Sequence, residues 1–92
     1  MDDLKALVAR AQEGDLDAFG RLVRTTQTMA FAVARSVERD PGLAQDAVQE
    51  AYLGAFRRLG DLDEPAAFLS WLRRIVFRLK AETNRDSKKR VV

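Results

Sequence analysis

Apolar residues recur every three or four positions in four segments of the chain, which is the spacing of one face of an α-helix. The first predicted helix runs from about Asp2 to Glu13, and the second begins after Asp15. The third runs from Pro41 to about Leu59, and the fourth begins at Pro65. Aspartate caps the first N–H groups of a helix and proline suits its first turn, so these residues mark helix starts. Gly14 is typical of a helix end.

The apolar stripes of these helices predict the hydrophobic core. Its expected members are Leu4, Leu7, Val8 and Ala11, then Phe19, Leu22, Val23, Ala30, Val33, Ala34 and Val37, then Ala44, Val48, Ala51, Ala55 and Leu59, and finally Phe68, Leu72, Ile75 and Leu79. No segment alternates with the period of a strand. The pattern predicts an all-α fold, a compact bundle of four helices in one domain over residues 1–92, with residues 86–92 fraying.

Composition removes several classes of function. The chain contains no cysteine and no histidine, which excludes disulfides, thiolate metal sites and the commonest general base. No apolar run approaches the ~20 residues that span a bilayer. We therefore expect a cytoplasmic protein that is not an enzyme, with no catalytic residue, no metal, no cofactor and no membrane partner.

Charge is distributed unevenly along the chain. The net charge is +2, but residues 70–92 carry +6 and residues 1–69 carry −4. Segments of opposite sign suggest two different partners, although a basic helix end can also be ordinary solvated surface.

The fourth helix places a tryptophan among its arginines. At 100° per residue, Trp71, Arg74, Arg78 and Arg85 lie within about 60° of one another on one flank. Such a surface can stack a base and neutralise phosphates, or Trp71 can be partly buried against a neighbouring helix. Phe77 points away from the core, and we expect the first helix to cover it; a contact role is the alternative.

The third helix has a different outer face, opposite its alanine-rich seam. Asp46, Gln49, Glu50, Leu53 and Arg57 lie within about 100° there. An exposed leucine among acidic and amide groups is either a partner-binding surface or plain solvated surface.

Three motifs in order resemble those of the extracytoplasmic-function (ECF) sigma factors of bacteria. The motifs are Gly14-Asp15-Leu16-Asp17-Ala18-Phe19, then Leu43 to Phe56 with its Asp, Gln-Glu and aromatic pattern, then Phe68, Trp71-Leu72 and Arg74-Ile75. The resemblance implies region 2 of a sigma factor, which serves transcription initiation. It implies that the third helix binds the β′ clamp helices of RNA polymerase core through Asp46, Gln49, Glu50 and Leu53.

The same resemblance assigns the following loop and fourth helix to promoter DNA. In the family these elements melt the promoter −10 element and hold its non-template strand, with a flipped base near the loop at Gly60–Glu64. The implied DNA-binding residues are Gly60, Asp61, Leu62, Asp63, Trp71, Arg74, Arg78, Lys80 and Arg85. The free protein is expected to be a monomer, and an anti-sigma factor is a further partner that the family suggests.

The sequence departs from the family pattern at two positions and in its extent. Arg78 stands where the family usually has Asn, and Glu82 where it has Asp. The helix-turn-helix domain for the −35 element is absent, so either the sequence is one domain of a longer protein or it does not recognise whole promoters unaided. Two alternatives remain: a sigma-like mimic that binds an anti-sigma factor without DNA, and a generic helical domain for double-stranded DNA.

Overall fold

Four α-helices, α1 to α4, follow one another along the chain. The computed structural model describes the backbone of residues 3–90 and the side chains of residues 3–79. The helices are α1 (Leu4–Gln12), α2 (Leu16–Val37), α3 (Pro41–Arg58) and α4 (Phe68–Arg90). Two short 3₁₀ turns, Leu59–Asp61 and Pro65–Ala67, connect α3 to α4. Residues 3–90 contain no strand, and the predicted all-α bundle of four helices is confirmed.

The predicted helix starts are made by aspartate caps. The Asp15 carboxylate accepts a hydrogen bond from the Ala18 N–H at 3.1 Å. The Asp40 carboxylate accepts from the N–H groups of Gly42 and Leu43 at 2.8 and 3.2 Å, with Pro41 in the first turn. These bonds satisfy donors that a helix cannot satisfy internally, so the chain turns into a helix at these points.

The start of the last helix differs from the prediction. Pro65 begins a 3₁₀ turn, and α4 starts three residues later at Phe68. The Glu64 carboxylate accepts from the Ala66 N–H at 3.2 Å, and the Ala67 N–H bonds the Glu64 carbonyl at 2.9 Å. This tighter bonding pattern is typical of a helix N-terminus.

The core lies where the four helices meet, with Leu7 and Val8 contributed by α1. The predicted seam of α3 is buried in full: Ala44, Val48, Ala51, Ala55 and Leu59. Alanines there allow the neighbouring helices to approach closely. Within residues 68–79 of α4, Phe68, Leu72 and Val76 are buried, whereas Ile75 and Leu79 are only half-buried. Compared with the predicted stripe, the buried face of α4 is therefore rotated toward Val76. The reason is that α4 packs against both α2 and α3.

One polar pair is buried with this core. The hydroxyl oxygens of Thr26 and Tyr52 lie 2.6 Å apart, and the Thr26 hydroxyl donates to the Leu22 carbonyl at 2.7 Å. Burial raises the pKa of the Tyr52 phenol, and its hydrogen bond with Thr26 acts in the opposite direction. The pair joins α2 to α3 with its hydrogen bonds satisfied.

The Asp15 cap predicts a pH dependence of stability. The Ala18 N–H, and then the Arg10 guanidinium at 3.1 Å, hold the pKa of Asp15 below its ordinary value. A carboxyl with a lowered folded-state pKa stabilises the fold above its ordinary pKa, and this contribution is lost as the pH falls through the folded-state pKa. Below about pH 4 the urea midpoint of the wild type should fall more steeply than that of Asp15→Asn, which caps without titrating. Parallel curves for the two proteins would contradict the role of Asp15.

Candidate functional site

The outer face of α3 carries the first candidate surface. Asp46, Gln49 and Glu50 are exposed, and the Leu53 side chain is 58% exposed. The opposite side of the helix is held in the core by its alanines, so this orientation is fixed. A leucine ringed by acidic and amide groups can receive a basic amphipathic helix of a partner.

The loop between α3 and α4 is held in place by a side chain of α1. The Gln12 side-chain amide donates to the carbonyl of Leu59 at 3.0 Å and to that of Leu62 at 2.7 Å. The Leu62 side chain is buried, whereas Gly60, Asp61 and Asp63 are exposed. The loop is thus pinned at Leu62 and presents its neighbours outward.

Gln12 was missed in the sequence because its partners lie 47 and 50 residues away. A single glutamine at the end of an amphipathic helix carries no local signal of such a role. Leu62 was predicted as part of the DNA-binding loop, and the structure places its side chain in the core instead of on the surface.

The exposed flank of α4 carries the second candidate surface. Arg74 and Arg78 are exposed. Trp71 is half-buried, and its ring centroid lies 6.0 Å from that of Phe68, with the two planes inclined by 48°. Of the two interpretations of Trp71, partial burial is observed, and one part of the ring remains accessible. Lys80 and Arg85 lie in α4, but their side chains are outside the described part of the structure. Of residues 86–92, where fraying is predicted, the backbone of 86–90 belongs to α4, and residues 91 and 92 lie outside the described residues.

The two candidate surfaces meet in one groove, which we call the α3–α4 groove. It has a volume of about 600 Å³. Glu50 and Leu53 line it from α3, and Trp71, Arg74 and Arg78 line it from α4. Arg57 and Arg58 also line it, so four guanidiniums face one carboxylate among its described lining residues. The groove is therefore electropositive, with an apolar floor.

The exposure of Phe77 differs from the expectation that α1 covers this side chain. Its side chain is 51% exposed, so the expected cover by the first helix is wrong. The reason is that α1 packs against α2 and the two 3₁₀ turns. The outer side of α4 is left open.

The described part of the chain offers neither a cluster of metal ligands nor a membrane-spanning helix. No group of three or more acidic, histidine or cysteine side chains there is placed to hold a metal ion. Nor is any of its helices long and apolar enough to cross a membrane.

The fold and surfaces are those of a small helical binding domain, and comparison with known proteins gives its family. A family model described as sigma-70 region 2 matches residues 22–90. The chain belongs to this family. Because relatives named as ECF sigma factors also match it, the chain is region 2 of an ECF sigma factor. Sigma factors are initiation factors without enzymatic activity.

Three relatives illustrate the likeness. The chain is 39% identical over 80 residues to a probable RNA polymerase sigma factor, RfaY, of Xanthomonas campestris, covering 87% of this chain and 20% of the relative. It is 34% identical over 86 residues to the ECF sigma factor SigK of a Mycobacterium species, covering 87% and 45%. It is 42% identical over 72 residues to the ECF sigma-E factor of Escherichia coli, covering 77% and 37%.

The chain spans less than half the length of each of these relatives. No solved structure matches it.

Proposed function

We propose that this domain serves transcription initiation by binding RNA polymerase core and single-stranded promoter DNA side by side. The observation that carries the proposal is the α3–α4 groove, where Glu50 and Leu53 of one surface meet Trp71, Arg74 and Arg78 of the other. A groove with this mixture of side chains suits two partners that are themselves adjacent. In bacteria such a protein acts in the cytoplasm, where the polymerase is.

The polymerase half of the proposal rests on the exposed face of α3. Asp46, Gln49, Glu50 and Leu53 offer carboxylates, an amide and an apolar side chain on one rigid helix. The partner that we propose, from the family resemblance, is the pair of clamp helices of the β′ subunit. Carboxylates at such a surface pair with basic groups of the partner and fix the register of docking.

Substitution of the α3 face tests this half. Gln49→Ala combined with Glu50→Lys removes an amide and reverses a charge, and should weaken binding to a β′ clamp-helix fragment by at least about tenfold. Fluorescence anisotropy of the labelled fragment measures the dissociation constant. Glu13→Lys, an equal charge change at the end of α1, is the matched control and should leave affinity unchanged. An unaltered dissociation constant for the double variant would remove the polymerase assignment.

The DNA half rests on the α4 flank and the loop before it. Arg74 and Arg78 are free to meet phosphates, and Trp71 offers part of an aromatic ring beside them. We assign the same role to Lys80 and Arg85 from their place in α4. Gly60, Asp61 and Asp63 are presented by the pinned loop, where a flipped base of the −10 element is to be received, while the buried Leu62 shapes that loop. A cation at Arg78 favours holding the strand over reading a base.

We propose that the free domain is a monomer, and that an anti-sigma factor can bind its outer α3 face in place of the polymerase. The four guanidiniums of the α3–α4 groove favour DNA binding over a mimic that binds an anti-sigma factor alone.

A further inference from the structure

A second groove lies on the other side of α4, between that helix and α2. It has a volume of about 610 Å³. Its main lining residues are Met29, Val33, Arg73, Arg74, Phe77 and Arg78. We call it the α2–α4 groove. Phe77 is 51% exposed there.

Arg74 and Arg78 line both grooves. They therefore form a crest along α4, with Trp71 in the groove on one side and Phe77 in the groove on the other. A strand whose phosphates follow this crest has an aromatic ring within reach of bases turned to either side. The Trp71 ring belongs to a motif that resembles the family, whereas the Phe77 ring lies outside the motifs and was expected to be covered by α1.

The chemistry of the α2–α4 groove suits an unpaired base. Three arginines line the groove together with Phe77, and no carboxylate is among the described lining residues. Met29 and Val33 give the floor an aliphatic character, so the plane of a base can be desolvated against it. Base stacking on an aromatic ring beside phosphate-binding cations is how proteins hold single strands without reading their sequence.

We infer that Phe77 is a stacking platform for an unpaired base of single-stranded DNA whose phosphates lie on Arg74 and Arg78. The inference rests on the proposed function and extends it to a residue and a groove outside the family motifs. The platform adds affinity for a melted strand over duplex DNA, since a paired base is not free to turn into the groove.

The test uses the 92-residue chain and a fluorescein-labelled single-stranded 12-mer of thymidines, with anisotropy as the readout. Phe77→Ala should weaken binding at least about fivefold, the low end of what one stacked base contributes. The slope of log Kd against log salt should not change, because no phosphate contact is lost. Phe77→Trp should bind at least as tightly as the wild type. Leu69→Ala, which removes another exposed apolar side chain from α4, is the matched control.

An abasic 12-mer separates stacking from other effects. Wild type and Phe77→Ala should bind it equally, because it has phosphates but no bases. A change of less than twofold on the thymidine strand overturns the inference and leaves the groove to a protein partner. An equal loss on both strands overturns it as well. If charge reversal at Arg74 and Arg78 weakens binding but Phe77→Ala does not, the inference fails alone; if neither matters, the proposed DNA function fails with it.

Discussion

Phe68→Ala should destabilise the domain by about 3–5 kcal/mol, the usual cost of removing a fully buried phenylalanine. Phe68 is completely buried at the first residue of α4, and its ring packs against Trp71. A cavity there opens where α4 joins the rest of the core. Small domains are stable by only about 5–15 kcal/mol, so this loss is a large part of the total. Urea unfolding followed by circular dichroism at 222 nm measures it.

Two further variants make the Phe68 experiment interpretable. Phe56→Ala is the matched control, because Phe56 is 48% exposed. Its ring meets that of Phe19 edge to face, with the ring centroids 5.1 Å apart. Its cost should be about 1 kcal/mol. Phe68→Leu gives a graded loss that is measurable even where the alanine variant is unfolded. Equal losses for Phe68→Ala and Phe56→Ala would mean that the core is not centred where we place it.

Reversing the charge of both Arg74 and Arg78 should weaken binding to a single-stranded −10-like oligonucleotide about 100-fold. Each charge-assisted hydrogen bond to phosphate contributes about 1.5 kcal/mol or more, and two are lost. The loss should be similar for all base sequences, because phosphate contacts carry no sequence information. The salt slope should become shallower by about 1.4, since each contact on a single strand adds about 0.7. Anisotropy titrations at several salt concentrations give both quantities.

The control for this experiment reverses the same number of charges elsewhere. Lys5→Glu with Arg24→Glu changes two exposed cations that line neither groove. Its effect should be within about threefold, because neither cation lines a groove and salt screens exposed charges that make no direct contact with the strand. If the control weakens binding as much as the Arg74 and Arg78 variant, net charge and not the crest governs DNA binding.

The starts of α2 and α3 and the buried seam of α3 could be predicted from sequence because they depend on neighbouring residues. Asp15 and Asp40 cap helices through bonds to N–H groups two or three residues away. The alanine steps of α3 fix its buried side without reference to any other helix. Fold class followed from these local signals.

The arrangement around α4 could not be predicted in the same way. Its apolar residues fit two phases, and packing against both α2 and α3 selects the one that buries Val76. The exposure of Phe77 depends on where α1 docks, which the periodicity of α4 does not encode. The outward residues of α3 and α4 were predicted from helical phase, but their meeting in a shared groove depends on how the helices pack.

The hydrogen bonds of Gln12 indicate which part of the chain is needed to position the α3–α4 loop. Family likeness marks residues 22–90, yet the amide that fixes the α3–α4 loop comes from residue 12. A fragment trimmed to the matched segment would retain the candidate binding residues of α3, the loop and α4, but it would lose the Gln12 amide that positions the loop beside them. On the proposed function, the working unit therefore begins upstream of the residues that the family model matches, and α1 contributes to it by positioning the loop although it lines neither groove.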